Sequence, residues 1–146
     1  MTNSSLARSY LIKVQKRLKI LAVLFAEEAY SDVVREAQEI VELALKGMLR
    51  QVGVEPPKWH DVGDALIEFS ERFPEHVRSR LERLAKDSGW LRKERELAFY
   101  GDIDFIPTEE YEEVDARKAI EAAEYAVRAA EDVIAPPNPA TMSQGN

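Results

Sequence analysis

The stretch richest in chemical possibility is Arg92-Lys93-Glu94-Arg95-Glu96-Leu97-Ala98-Phe99-Tyr100-Gly101. Arg92 and Arg95 are three residues apart, so on a helix they share a face. Guanidinium groups grip phosphate bidentately, and a tyrosine just beyond can stack on a base or donate a hydrogen bond. These residue types point to a phosphate-bearing ligand, a nucleotide or RNA. Taken alone, the stretch also fits a surface arginine pair beside a core tyrosine, which is the commoner arrangement.

Other candidates are sparse. His60 stands in Trp59-His60-Asp61 just ahead of a helix. It reads either as a ligand-binding residue or as part of a turn in which Trp59 packs and Asp61 caps. His76, after Pro74, reads as a surface residue in a first helical turn. Glu39 and Glu42 lie one turn apart and read as a solvated or intersubunit face rather than a carboxylate metal site. With two histidines and no cysteine, neither a metal cluster nor a thiol nucleophile is expected. There is no glycine-rich phosphate loop, no HExxH and no nucleophile elbow, so the sequence names no metal and no cofactor.

The net charge is −7, which argues against a nucleic-acid coat, but its distribution is uneven. Residues 1–26 hold five bases and no acid, and residues 109–132 hold nine acids and three bases. Residues 78–95 hold seven bases and three acids. Two readings stand: the basic first helix neighbours the acidic last one, or residues 78–95 form a phosphate-facing patch. The longest apolar stretch, residues 20–26, is too short to span a bilayer, and lysines interrupt any candidate leader. The expected location is the cytoplasm, with no membrane partner.

The elements that must position these residues are all helical. Tyr10, Val14, Leu18, Leu21 and Phe25 recur at three- and four-residue steps and predict a helix from about Ser5 to Glu28. A second helix, capped by Ser31 or Asp32, carries the stripe Val34, Ala37, Val41, Ala44 or Leu45, Met48 and Val52, and Gly53 closes it. A short third helix is capped by Asp61 and buries Val62, Leu66, Phe69 and Phe73. A fourth covers about Glu75 to Phe99 with Val77, Leu81, Leu84, Leu91 and Leu97 inward, and Gly89 marks a candidate kink. Residues 101–107 read as a loop. A last helix, opened by Thr108, Tyr111 and Glu112, buries Ala116, Ala119, Ile120, Ala123, Val127, Ala130 and Ile134. No segment alternates with period two. The reading is one all-α domain over residues 1–134, an up-and-down antiparallel bundle of four long helices plus a short one. Residues 135–146, with three prolines, read as a disordered tail.

Two stretches resemble those of small archaeal and bacterial HEPN proteins. One is Ala37-Gln38-Glu39-Ile40-Val41-Glu42-Leu43-Ala44-Leu45-Lys46-Gly47-Met48-Leu49-Arg50, followed by Pro56-Pro57-Lys58-Trp59-His60-Asp61-Val62-Gly63. The other is Arg95-Glu96-Leu97-Ala98-Phe99-Tyr100-Gly101, then Pro107, Tyr111 and Asp115-Ala116-Arg117-Lys118-Ala119. Order and spacing agree over about residues 5–134. The resemblance implies the same bundle, usually as a homodimer. It implies one of several roles: a nucleotide- or RNA-binding module, partnered in some members with a small nucleotidyltransferase, or a metal-independent RNase toxin of a toxin–antitoxin or defence system. A purely structural dimerisation module is a third class.

In the RNase members an arginine is followed a few residues later by a histidine, and two subunits bring these motifs together. Here Arg95 is followed, four residues between, by Tyr100. Arg72 does precede His76, but Pro74 lies between them and the position is early. A phenol of pKa near 10 is a poor general base at neutral pH. Arg95 and Tyr100 therefore carry over as a binding pair, with Arg92 beside them and Lys46 and Arg50 of the second helix completing the patch.

Overall fold

A computed structural model describes residues 2–58, 61–100 and 111–134, with the side chains of 95–100 outside the description. The described residues form five α-helices and one 3₁₀ turn, and no strand occurs among them. They are α1 (Asn3–Ala26), α2 (Tyr30–Gln51), α3 (Val62–Glu68), the turn Ser70–Arg72, α4 (Glu75–Tyr100) and α5 (Glu113–Ile134). The four long helices alternate in direction. The expected loop over residues 101–107, the Thr108 helix opening and the tail 135–146 lie outside the described residues.

α2 is the centre of the bundle and packs against α1, α3, α4 and α5. Its inner face holds Val34, Ala37, Val41, Ala44, Leu45 and Met48, all fully buried, as the periodicity requires. α5 meets it with a row of small residues; Ala116, Ala119, Ala122, Ala123, Ala126, Ala129 and Ala130 are all buried. Alanines at this spacing let two helix backbones approach closely. The row is wider than the sequence stripe, which omitted Ala122, Ala126 and Ala129, while Ile120 is only partly buried.

The connection from α1 to α2 corrects the sequence reading. α2 begins at Tyr30 with Ala29 at the N-cap and no side-chain cap, so Ser31 and Asp32 lie inside the first turn. The start is set from the preceding helix. Glu28 has φ 59°, its N–H donates to the Phe25 carbonyl at 3.0 Å, and Ala29 N–H donates to the Leu24 carbonyl at 2.9 Å. This pair of bonds satisfies the last carbonyls of α1 and reverses the chain within three residues. Gly53 does the same for α2 at φ 82°, with Gly53 N–H to the Arg50 carbonyl and Val54 N–H to the Leu49 carbonyl.

α3 docks on α4 at Gly63. A Cβ there would stand 2.8 Å from the Ala85 Cα, so only glycine permits this approach. α4 runs as one helix through Gly89, the position read as a candidate kink.

Candidate functional site

Asp61 caps α3 as expected: its Oδ1 accepts the Gly63 amide at 2.9 Å. The same oxygen accepts the Ser88 hydroxyl of α4 at 3.3 Å. Arg92 is one helical turn beyond Ser88 and therefore on the same side of α4; it is half-buried. Asp61 thus belongs with the α4 candidates. Arg95 and Tyr100 follow on the same unbroken helix. At about 100° per residue, backbone positions 92, 95 and 100 span some 140° of its circumference. The side chains of Arg95 and Tyr100 lie outside the described residues, as does His60.

Tyr111 holds this end of α4. It is 7 % exposed, and its hydroxyl lies 3.1 Å from the backbone carbonyl and 3.0 Å from Oε2 of Glu94. Burial, then the Glu94 carboxylate, pushes its phenol well above the ordinary tyrosine range. One residue on, Asp115 Oδ2 accepts the Glu112 amide at 2.9 Å, which ties down the start of α5.

The basic run of α4 divides in two. Arg78 donates to the Phe73 and Glu71 carbonyls, and Arg80 pairs with Asp132 at 2.6 Å. Arg83 lies over the Tyr125 ring at 3.9 Å and reaches Asp87 at 3.4 Å. These three arginines hold α4 to its neighbours and to the preceding turn. The phosphate-facing reading is thereby left with the exposed Lys86 and the last turns of the helix. The first and last helices are neighbours, as the charge distribution suggests: α1 and α5 pack together, with Gln15 donating to Glu131 at 3.1 Å. Arg17, however, turns to α2, where it meets Glu36 at 2.7 Å and Glu39 at 2.5 Å. Glu39 is thus ion-paired to Arg17 and half-buried. His76 is exposed, as read from the sequence.

Lys46 and Arg50 are not brought to Arg92 within the chain. Arg50 Nη1 meets Asn3 Oδ1 at 3.4 Å, and the intervening Gly47 lies against Tyr10 and Ile134. That is where α1 begins and α5 ends, whereas Glu94 meets Tyr111 where α5 begins. The two groups sit near opposite ends of α5, a span of about 33 Å for its 22 residues. Arg50 Nε is buried and has no hydrogen-bond partner among the described residues.

Sequence reasoning missed two residues that carry a signal of their own. Gln38 and Ser88 are the buried polar residues of the described core. Each interrupts an apolar stripe, Val34-Gln38-Val41-Leu45 on α2 and Leu81-Leu84-Ser88-Leu91 on α4. A polar residue on such a stripe must find a partner or a ligand.

No described group of three or more histidine, aspartate or glutamate side chains could hold a metal ion. No described helix is long and apolar enough to cross a membrane. Comparison with curated proteins and with solved structures gives no match. The family model of the HEPN domain matches residues 7–133, which takes in every described helix from the second turn of α1 to the last turn of α5. With that match and an all-helical bundle in the same order, the chain belongs to the HEPN domain family.

Proposed function

We propose that this HEPN chain is a nucleotide- or RNA-binding module, working as a homodimer, rather than an efficient nuclease. The family is associated with nucleotide- and RNA-related functions and with toxin or defence systems, and its domains often dimerise. The observation that carries the reading is the division of α4: its early arginines are committed to contacts within the fold, and Arg92 and Arg95 follow at its far end. In this reading Arg92 and Arg95 hold phosphate and Tyr100 stacks on a base or donates to it. Asp61, which accepts the hydroxyl of Ser88 one turn before Arg92, borders the same region, and His60 adjoins it in sequence. A small nucleotidyltransferase is the partner that fits such a module.

Cleavage of RNA without metal needs a proton acceptor at the attacking 2′-hydroxyl. A phenol of ordinary pKa is protonated at neutral pH and can only donate. The test is to titrate the purified protein with labelled single-stranded RNA and with a nucleotide, chelator present, and to follow both binding and fragments. The expected result is salt-sensitive binding, weakened by Arg95→Ala, with little cleavage. Robust cleavage abolished by Tyr100→Phe overturns the reading in favour of an RNase toxin. Absence of any binding leaves the structural dimerisation module.

A further inference from the structure

Gly89 stands in the interior of the 26-residue helix α4, where glycine is weaker than alanine. The fold gives no reason for it. Its backbone is helical, without the positive φ of Gly53. A Cβ there would meet no described atom closer than Asp61 Oδ2 at 3.7 Å, an ordinary contact. Gly63 is the contrast, since the Ala85 backbone leaves it no room for a side chain. What the missing methyl at Gly89 does is leave the approach to one carboxylate oxygen open.

That oxygen is held in place and unused. Asp61 is half-buried and spends Oδ1 twice, on the Gly63 amide at 2.9 Å and the Ser88 hydroxyl at 3.3 Å. Ser88 is itself buried in a stripe that is otherwise apolar, so its bond orients the carboxylate from below. Oδ2 has no hydrogen-bond partner among the described residues. Arg92 lies one turn beyond Gly89 on the same side of α4. It is half-buried and has no ion pair among the described residues.

An oriented acceptor and a guanidinium beside a gap in the helix surface make two demands of a ligand. It must donate a hydrogen bond at one end and carry negative charge at the other. We propose that the gap at Gly89 is a base subsite, in which Asp61 Oδ2 accepts from the exocyclic amine of cytosine or adenine while Arg92 holds the phosphate. The inference rests on the nucleotide-binding reading above and gives it a base preference. Uracil and hypoxanthine carry a carbonyl oxygen where those bases carry the amine. Acceptor would then face acceptor, and both would lose water without replacing it.

The test is calorimetric titration of the purified protein with CMP, UMP, AMP and IMP, pairs that differ at this amine. CMP is expected to bind at least about fivefold more tightly than UMP, and AMP than IMP, the discrimination one such contact supplies. Asp61→Asn keeps a good N-cap, with the amide oxygen on Gly63 and the NH₂ group in the place of Oδ2. It is expected to abolish or reverse both preferences. Gly89→Ala is expected to melt higher than the natural protein and yet to bind CMP and AMP at least about fivefold more weakly, because the methyl stands in front of Oδ2. Circular dichroism checks that each variant keeps its helices. Equal affinity within both pairs overturns the subsite and leaves nucleotide binding standing. A preference that survives both substitutions does the same. Failure to bind any of the four overturns the subsite together with the reading beneath it.

Discussion

The Tyr111 hydroxyl is shared between the backbone carbonyl and the carboxylate of Glu94, at 3.1 and 3.0 Å, and so fastens the start of α5 to the late turns of α4. Tyr111→Phe keeps the buried ring and removes this bond. The expected loss is about 1 kcal/mol at neutral pH, read as a fall of roughly 3 °C in melting temperature. The phenol's folded pKa is raised, so its contribution is complete below about pH 10, where both states are protonated. Above that the unfolded chain sheds the proton while the folded chain retains it, and stability falls as pH rises. The difference between the natural protein and Tyr111→Phe is therefore expected to shrink in denaturant titrations above pH 10. A constant difference would contradict the raised pKa.

Gly63→Ala is expected to cost 1–3 kcal/mol, roughly the penalty of overpacking, because the new methyl meets the Ala85 backbone at 2.8 Å rather than a side chain that can turn away. Urea unfolding measures it. Gly89→Ala is the control: its Cβ would lie 3.7 Å from Asp61 Oδ2, ordinary contact, and a helix interior gains about 0.5–1 kcal/mol from alanine.

Glu28→Gly is expected to stabilise the protein by about 0.5–1 kcal/mol. Glu28 is the one described non-glycine residue at positive φ, a conformation costing an L-residue roughly 1–2 kcal/mol, of which the extra freedom of glycine in the unfolded chain returns part. Calorimetry showing a lower melting temperature would mean that the Glu28 side chain makes a compensating contact.

The distance between the two groups of bases makes a binding prediction. Arg92→Ala is expected to weaken mononucleotide affinity five- to tenfold, about 1–1.4 kcal/mol. Arg50→Ala is expected to leave it within twofold, since its helix end lies about 33 Å from the Glu94–Tyr111 contact along α5. The double variant is expected to be additive within roughly 0.5 kcal/mol. Fluorescence titration of a labelled nucleotide decides the matter.

What the sequence revealed was what its neighbours along the chain determine. The Asp61 cap, the Gly53 terminus and the inner row of α2 each depend on residues within a turn or two, and each appears as read, except that Val52 at the end of the row is only partly buried. The start of α2 was misread because Glu28, not a serine or aspartate cap, sets it through bonds to the end of α1. Gly63 carried no local sign of its role, since its constraint is the Ala85 backbone some twenty residues away. Within one chain Lys46 and Arg50 lie away from Arg92 for a topological reason. Periodicity tells which face a residue occupies, but only the alternation of helix directions tells which end. α2 descends where α4 ascends, so the late residues of one meet the early residues of the other.

The alanine row of α5 has a dynamic consequence. A methyl group has no rotamers, so the α5 side of the seam offers few alternative arrangements, and repacking there falls to the longer side chains of α2 such as Leu45 and Met48. The α2–α5 pair is thereby the part of the bundle with the least side-chain freedom to lose on folding.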